Sequence, residues 1–353
     1  MRPVHQVIAA ASPGDAVTDQ ALRWRDVLRG WGYASELVAE HVHPTLVREV
    51  HRLDGRGPRV LSGAAGLVLH YSIWGAAAEA ALAHGAPMAV VYHNVTPPEL
   101  LRAANPAVAA MCALGRERLA DLAGRVTALI ADSAFNARDL AEAGLGEAAV
   151  VPLLIRPVDP PDRVRPPDGP PRMLSVGRIV PNKRLEDVVR VHALAQRAHD
   201  PAAELTLVGS WEGFEPYHRA LAALPGQLGS AGVRLTGRVP DAQRDEAYER
   251  ASVYVCMSVH EGFCLPLVEA LQRGLPVVAR AASAVPETLG AAGIVLPDDD
   301  LAVFAEAVVE VSRSEPLRAA LAAAARERLA ELAPERVVGM MRDALGPVLA
   351  AAA

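Results

Sequence analysis

Glu261 and Glu269 lie in one stretch, Ser258-Val-His-Glu-Gly-Phe-Cys-Leu-Pro-Leu-Val-Glu-Ala-Leu-Gln-Arg-Gly274. Ala251-Ser-Val-Tyr-Val-Cys-Met257 before it is uncharged and partly β-branched, which predicts a buried strand. Leu275-Pro-Val-Val-Ala279 predicts another. Pro266 suits a first helical position and Gly274 a left-handed stop, so a helix is expected over 266–273. This is a strand–loop–helix–strand unit of a parallel sheet, in which ligands sit outside the carboxyl ends of the strands. Glu261 then lies at the mouth and Glu269 about one turn into the helix. The amides near Phe263, Cys264 and Leu265 crowd the helix start, a place for an anion. Two acids flanking an anion site suit a ligand with hydroxyls on both sides of a diphosphate, as in a nucleotide sugar. The alternative is a loop acid and a solvated helix acid, since the helix dipole alone favours acids there.

The bases sharpen the picture. Lys183 is the only lysine in a chain whose other strong bases are all arginine. A lysine is a compact point charge for phosphate, where arginine imposes a planar fork; chance survival is the alternative. Lys183 and Arg184 open an amphipathic helix that runs through Arg197, opposing its dipole by roughly 0.3–1 kcal/mol each. Glu186 and Asp187 offset part of that, and an anion in front of the helix would remove the rest. In the first half, His93 follows the strand Met88–Tyr92 and precedes the turn-forming Asn-Val-Thr-Pro-Pro98, a place at the mouth of a cleft. A satisfied structural histidine is the competing account. Gly14 lies in the first strand–helix turn, where backbone approaches phosphate in doubly wound folds; no G-x-G-x-x-G follows, which argues against a dinucleotide cofactor.

Glu261-Gly-Phe-Cys-Leu-Pro-Leu-Val-Glu269 resembles the Glu-x7-Glu motif of the retaining family 4 glycosyltransferases, which have the GT-B fold. The resemblance implies that Glu261 and the amides of Gly262, Phe263, Cys264 and Leu265 hold the donor sugar, and that Glu269 holds the ribose. Cys264 stands where glycine is more usual. Val176-Gly-Arg-Ile-Val-Pro-Asn-Lys183 is similar to the family segment whose Arg and Lys neutralise the donor diphosphate, here Arg178 and Lys183. By the same resemblance the backbone around Val239 lies against the nucleobase and His93 faces the donor sugar. Gly14-Asp15 resembles a variant of the family's glycine-rich turn. Ser283–Gly290 and Gly293–Pro297 match its closing segment.

The expected architecture is therefore α/β, with two Rossmann-like doubly wound domains facing a central cleft. Strands are expected at Val4–Ala11, 66–72, Met88–Tyr92, Val126–Ala131 and Val150–Ile155 in the first half. In the second they are expected at Arg172–Gly177, Glu204–Gly209 and Val233–Gly237. Asp132 or Ser133 suits the cap of a helix reaching Gly144. Prolines crowd the chain from Pro152 to Pro171, behaving as a stiff spacer. The boundaries are an acceptor-side domain over 1–155, a linker over 156–171 and a nucleotide-sugar domain over 172–333. A last helix, 334–353, rejoins the first domain, as in the family.

Composition narrows the function. A net charge of −6 with interspersed signs argues against a nucleic-acid partner. Three cysteines, Cys112, Cys256 and Cys264, are too few and scattered for a disulfide framework or a metal cluster, which fits a reducing cytoplasm. No signal sequence or spanning segment is expected; Leu61–Ala83 is broken by His70, Ser72, Gly75 and Glu79. Arg23-Trp-Arg25 and Trp31 leave peripheral membrane contact open, with a buried tryptophan as the simpler account. The reaction expected is transfer of a sugar from a UDP-, GDP- or dTDP-sugar to a glycan, lipid-linked or small-molecule acceptor hydroxyl, with retained configuration, no cofactor and no metal. The rivals are a nucleotide-sugar epimerase, a glycosyl phosphorylase and a non-catalytic nucleotide-sugar binding protein.

Overall fold

The computed structural model describes residues 3–158, 169–297 and 299–352. The proline-rich spacer therefore lies largely outside the described residues. The chain divides into two units: one takes the chain up to Pro98, Ala109–Leu154 and everything from Ala333, the other Glu99–Val108 and Ile155–Leu332. The short piece Glu99–Val108 groups with the second unit, against its expected place in the first. Asn105 Nδ2 donates to the Gly213 carbonyl at 2.6 Å, which ties it there.

The first unit carries β1 (Val4–Ala11), β2 (Leu37–Val42), β3 (Val50–Arg52), β4 (Gly66–Tyr71), β5 (Met88–Tyr92), β6 (Ala128–Ala131) and β7 (Ala149–Val150). They form one parallel sheet in the order β3-β2-β1-β4-β5-β6-β7. The strand expected over 150–155 stops after Val150, because Pro152 has no N–H to continue the ladder. One face of this sheet packs Val4, Val68, Val91 and Ile130 against Val337, Met341, Leu345 and Val348 of the helix Pro334–Ala351. Burying such side chains contributes about 2 kcal/mol each, so the last helix belongs to this core. Trp24 is in the same cluster and buried.

The second unit carries β8 (Arg172–Val176), β9 (Glu204–Val208), β10 (Val233–Gly237), β11 (Val253–Cys256), β12 (Val277–Arg280) and β13 (Ile294–Leu296), all parallel in the order β10-β9-β8-β11-β12-β13. Successive side chains of a strand point to opposite faces. Met173, Val253, Val255 and Val278 enter one core, while Leu174, Tyr254, Cys256, Val277 and Ala279 enter the other. Both faces of the central strands are thus buried, which is why β11 reads as an unbroken apolar run. The chain order reverses between β1 and β4 in one sheet and between β8 and β11 in the other. At such a switch point the loops leaving the strands part and open a crevice. Among the described residues no helix is long and apolar enough to cross a membrane.

Candidate functional site

In the second unit the loops leaving β8 and β11 carry Arg178 and Lys183 on one side and Glu261 on the other. They flank the switch point. A short 3₁₀ turn, Pro181–Lys183, points the lysine back across the gap. Lys183 Nζ lies 2.5 Å from Glu261 Oε1. The two loops are stitched together besides: Asn182 Nδ2 donates to the His260 carbonyl at 3.1 Å, and the Val259 amide donates to the Asn182 carbonyl at 2.9 Å. Burial alone would lower the Lys183 ammonium, but the Glu261 carboxylate more than reverses that and leaves it above the ordinary lysine range.

These groups line an open recess with about 330 Å³ of empty space, together with Gly177, Ser258 and Cys264. Backbone approach at its rim is close. Gly209, just after β9, has φ +152°, and a Cβ there would lie 1.7 Å from the Gly177 carbonyl oxygen, so only glycine fits. Arg178 is exposed, its guanidinium 5.6 Å from the centre of the Phe214 ring, a cation–π contact.

The helix expected over 266–273 runs Leu265–Gln272. Its N-cap is Cys264 at φ 70°, ψ 65°, with no capping side-chain hydrogen bond. That left-handed conformation is the physical reason a glycine is natural here; a thiol-bearing residue carries a cost of roughly 1–2 kcal/mol. The uncapped first turn directs its N–H dipoles toward an incoming anion. Glu261 is buried, and its amide donates to Ser283 Oγ at 2.7 Å. Phe263 is buried, and its carbonyl accepts from Thr288 Oγ1 at 2.5 Å. Glu269 lies one turn in and accepts from Tyr248 Oη at 2.9 Å. Burial, and then the Glu269 carboxylate, push that phenol well above the ordinary range, so it stays a donor. Val239 follows β10, packed beside the Leu174–Cys256 cluster.

The charge conflict at Arg184 resolves without a ligand. Arg184 sits in a left-handed conformation and pairs with Asp187 at 2.9 Å. Lys183 lies before the helix Leu185–Ala198 and turns toward Glu261 instead.

Among the described residues there is one metal-like grouping. Cys256 Sγ, Cys264 Sγ and a Glu261 carboxylate oxygen lie within 4.8 Å of one another. Its chemistry does not favour a cation. The Lys183 ammonium already holds the carboxylate, and the hydrogen bond with Cys256 and burial keep the Cys264 thiol well above the ordinary range, hence protonated.

Gly14 and His93 lie in the first unit. Gly14 has φ 69° in the turn after β1, but the helix it introduces is capped by Asp15, whose carboxylate accepts from the Thr18 amide at 2.9 Å. A carboxylate already occupies that helix start. His93 follows β5 with both ring nitrogens engaged: Nδ1 lies 2.7 Å from Asp132 Oδ2 and Nε2 lies 2.9 Å from His70 Nδ1. Asp132, read from the sequence as a possible helix cap, instead serves His93. Ser133 Oγ caps that helix by accepting from the Asn136 amide at 3.1 Å. Sequence reasoning missed His70, Ser283 and Tyr248. Of these only His70 carried a signal, as a lone imidazole inside an apolar strand.

Residues 161–328 match the family model described as glycosyl transferases group 1. The match lies in the second unit and covers a little under half of the chain. The chain also has curated relatives. The O-antigen chain mannosyltransferase B of Escherichia coli is 33% identical over 86 residues, 24% of this chain and 23% of the relative. A phosphatidyl-myo-inositol mannosyltransferase of Mycolicibacterium smegmatis is 34% identical over 135 residues, 37% of this chain and 33% of the relative. The chain thus spans only about a quarter to a third of these relatives' lengths. Among solved structures, Anabaena HepE in complex with UDP and glucose superposes with a TM-score of 0.73 at 16% identity, over 98% of this chain and 100% of that one. At that identity the likeness establishes the fold alone: α/β with two Rossmann-like parallel-sheet domains, the GT-B fold.

Proposed function

We propose that the protein transfers a hexose from a nucleoside diphosphate sugar to an acceptor hydroxyl, with the anomeric configuration retained. The observation that carries this reading is the Lys183–Glu261 pair set across the β8/β11 switch point, beside the uncapped start of the helix Leu265–Gln272. A fixed ammonium, the exposed Arg178 and a row of helix-start dipoles supply positive potential where a departing diphosphate gathers charge. Glu261, already paired, positions sugar hydroxyls and makes a poor nucleophile. Glu269, oriented by Tyr248, takes the ribose hydroxyls. The amides of Gly262, Phe263, Cys264 and Leu265 and the backbone at Val239 complete the donor contacts of the second unit; the resemblance gives His93 and Gly14 donor-facing roles of their own.

In the transfer, the acceptor oxygen bonds to the anomeric carbon as the anomeric C–O bond to the diphosphate breaks on the same face. The hydroxyl proton leaves with the diphosphate. No metal or cofactor enters this scheme. Mannose is the first sugar to try, because the relatives above are named as mannosyltransferases; the HepE complex, with UDP and glucose, makes uridine donors the second.

The test is mass spectrometry of UDP-, GDP- and dTDP-hexoses incubated with the protein, with and without acceptor pools and with a chelator. The expected result is one donor consumed in transfer, unaffected by the chelator, with Lys183→Ala weakening nucleotide binding and Glu261→Ala abolishing transfer. Two variants that behave like the parent would overturn the site. A new sugar nucleotide formed without acceptor would point to an epimerase, and donor affinity without turnover to a binding protein.

A further inference from the structure

The first unit contains a buried polar chain of which the reading above uses only His93. It runs from β1 to the end of β6: Gln6, His70, His93, Asp132. Gln6 Oε1 lies 2.8 Å from His70 Nε2, His70 Nδ1 lies 2.9 Å from His93 Nε2, and His93 Nδ1 lies 2.7 Å from Asp132 Oδ2. The ring planes of His70 and His93 differ by 3°, as an in-plane N–H···N bond permits. Gln6, His70 and Asp132 are buried, and the His93 side chain is 4% exposed. Trp24 closes one side, its ring edge-on to His70.

Both ends of this chain are acceptors. Gln6 places Nε2 2.9 Å from the Ala21 carbonyl, which can only accept, so the amide oxygen must be the atom facing His70. Asp132 offers a carboxylate oxygen. Three links between two terminal acceptors need three protons, and two neutral imidazoles bring two. A two-proton chain leaves one link as a contact between two bare acceptors in a dry interior, where an unmet polar group is costly.

We infer that His70 is a positioning residue for His93, and that the chain stores a third proton along the His93–Asp132 bond. His70 donates Nε2–H to Gln6 and accepts at Nδ1. His93 donates Nε2–H to His70. The third proton lies between His93 Nδ1 and Asp132, as an imidazolium facing a carboxylate or an imidazole facing a carboxylic acid. In either form His93 has no lone pair to offer a substrate, so it fixes geometry and field and does not serve as a general base. Burial, then His93, holds the His70 imidazole well below the ordinary range, in keeping with a neutral His70. Burial raises the Asp132 carboxyl while His93 pulls it down. The titratable groups facing one another here are His70 on β4, His93 after β5 and Asp132 after β6; Gln6 on β1 and Trp24 on the first helix are uncharged.

The proton count stands on the structure alone, whereas its effect on turnover rests on the proposed transferase reading; the experiment separates them. Nitrogen-15 spectra of the histidine rings in the intact protein, with His70 assigned by loss of its signals in His70→Asn, read the protons directly. The expected result is a protonated His93 Nε2 and a bare His70 Nδ1. A bare His93 Nε2 facing a protonated His70 Nδ1 would overturn the inference. His70→Leu, checked for an intact melting transition, then takes away the acceptor that holds the His93 Nε2 proton. Its turnover relative to the parent should change about tenfold between pH 5.5 and 7.5, whereas His70→Asn, which keeps an acceptor for His93, should follow the parent. A folded His70→Leu that tracks the parent across that range would remove the positioning role. Absence of turnover in the parent would sink the transferase reading and leave the spectra to decide the proton count.

Discussion

The two units place polar clusters at equivalent ends of parallel sheets and finish them differently. In the second, Lys183 and Glu261 meet beside a recess, next to a helix start that no side chain caps. In the first, His70, His93 and Asp132 form a row closed at both ends by acceptors, and the neighbouring helix start after Gly14 is covered by Asp15. Strand ends of this kind are where ligands bind, but the chemistry available depends on whether bonding capacity is left over. The second cluster keeps some for an anion. The first spends its own internally.

The sharpest way to break that contrast is Glu261→Ala. It strands an ammonium of which 19% of the side-chain surface is exposed, costing up to about 3 kcal/mol of stability, and transfer should fall by at least ~10²-fold. Thermal melting and turnover check it, and a variant that is both stable and active would refute the pairing. Gly209→Ala comes next: its methyl group would meet the Gly177 carbonyl, so the loop carrying Arg178 must shift. Nucleotide affinity measured by calorimetry should drop about tenfold, on the order of 1.4 kcal/mol.

Titration separates the clusters by sign. The His70 imidazole is depressed, so its contribution is present above the unfolded value of ~6.5 and is lost as pH falls. The Lys183 ammonium is raised, so its contribution is present below ~10.4 and is lost as pH rises through the folded value. Melting temperature should therefore decline on both flanks, with His70→Asn reducing the acid decline and leaving the alkaline one. An unchanged acid decline in that variant would dissociate His70 from it. The smallest effect belongs to Cys264→Gly. Relief of the left-handed strain, roughly 1–2 kcal/mol, opposes loss of a buried thiol, so stability should move by less than about 1 kcal/mol with donor binding retained. Loss of donor binding there would mean that the thiol itself touches the ligand.

The sequence was most readable where one residue's neighbours in the chain are also its reasons. Val4–Ala11, Met88–Tyr92 and Val233–Gly237 are strands with the expected limits, the first two because they are buried along most of their length, the third at a half-exposed sheet edge where the turn glycines bound it. Glu261 and Lys183 were legible as types at a strand mouth, whereas their direct contact joins residues from separate loops and has no local trace. Asp132 shows the limit. Beside Ser133 it looks like a cap, and only the position of β5 next to β6 reveals its service to His93. Tyr248 and Ser283 orient the two acids from distant elements for the same reason. The helix cap at Cys264 was readable as an unusual residue but not as an unusual backbone angle, since φ leaves no mark in composition.

The helix Pro334–Ala351 completes the hydrophobic face of a sheet whose strands are all made within the first 150 residues. A ribosome translating this chain must therefore finish the entire second unit before the first can seal its core. Through that interval Val4, Val68, Val91 and Ile130 lack their final cover, an aggregation-prone surface of the kind chaperones exist to shield. The order of synthesis thus makes the second unit the natural first folder, and the first unit the one that waits.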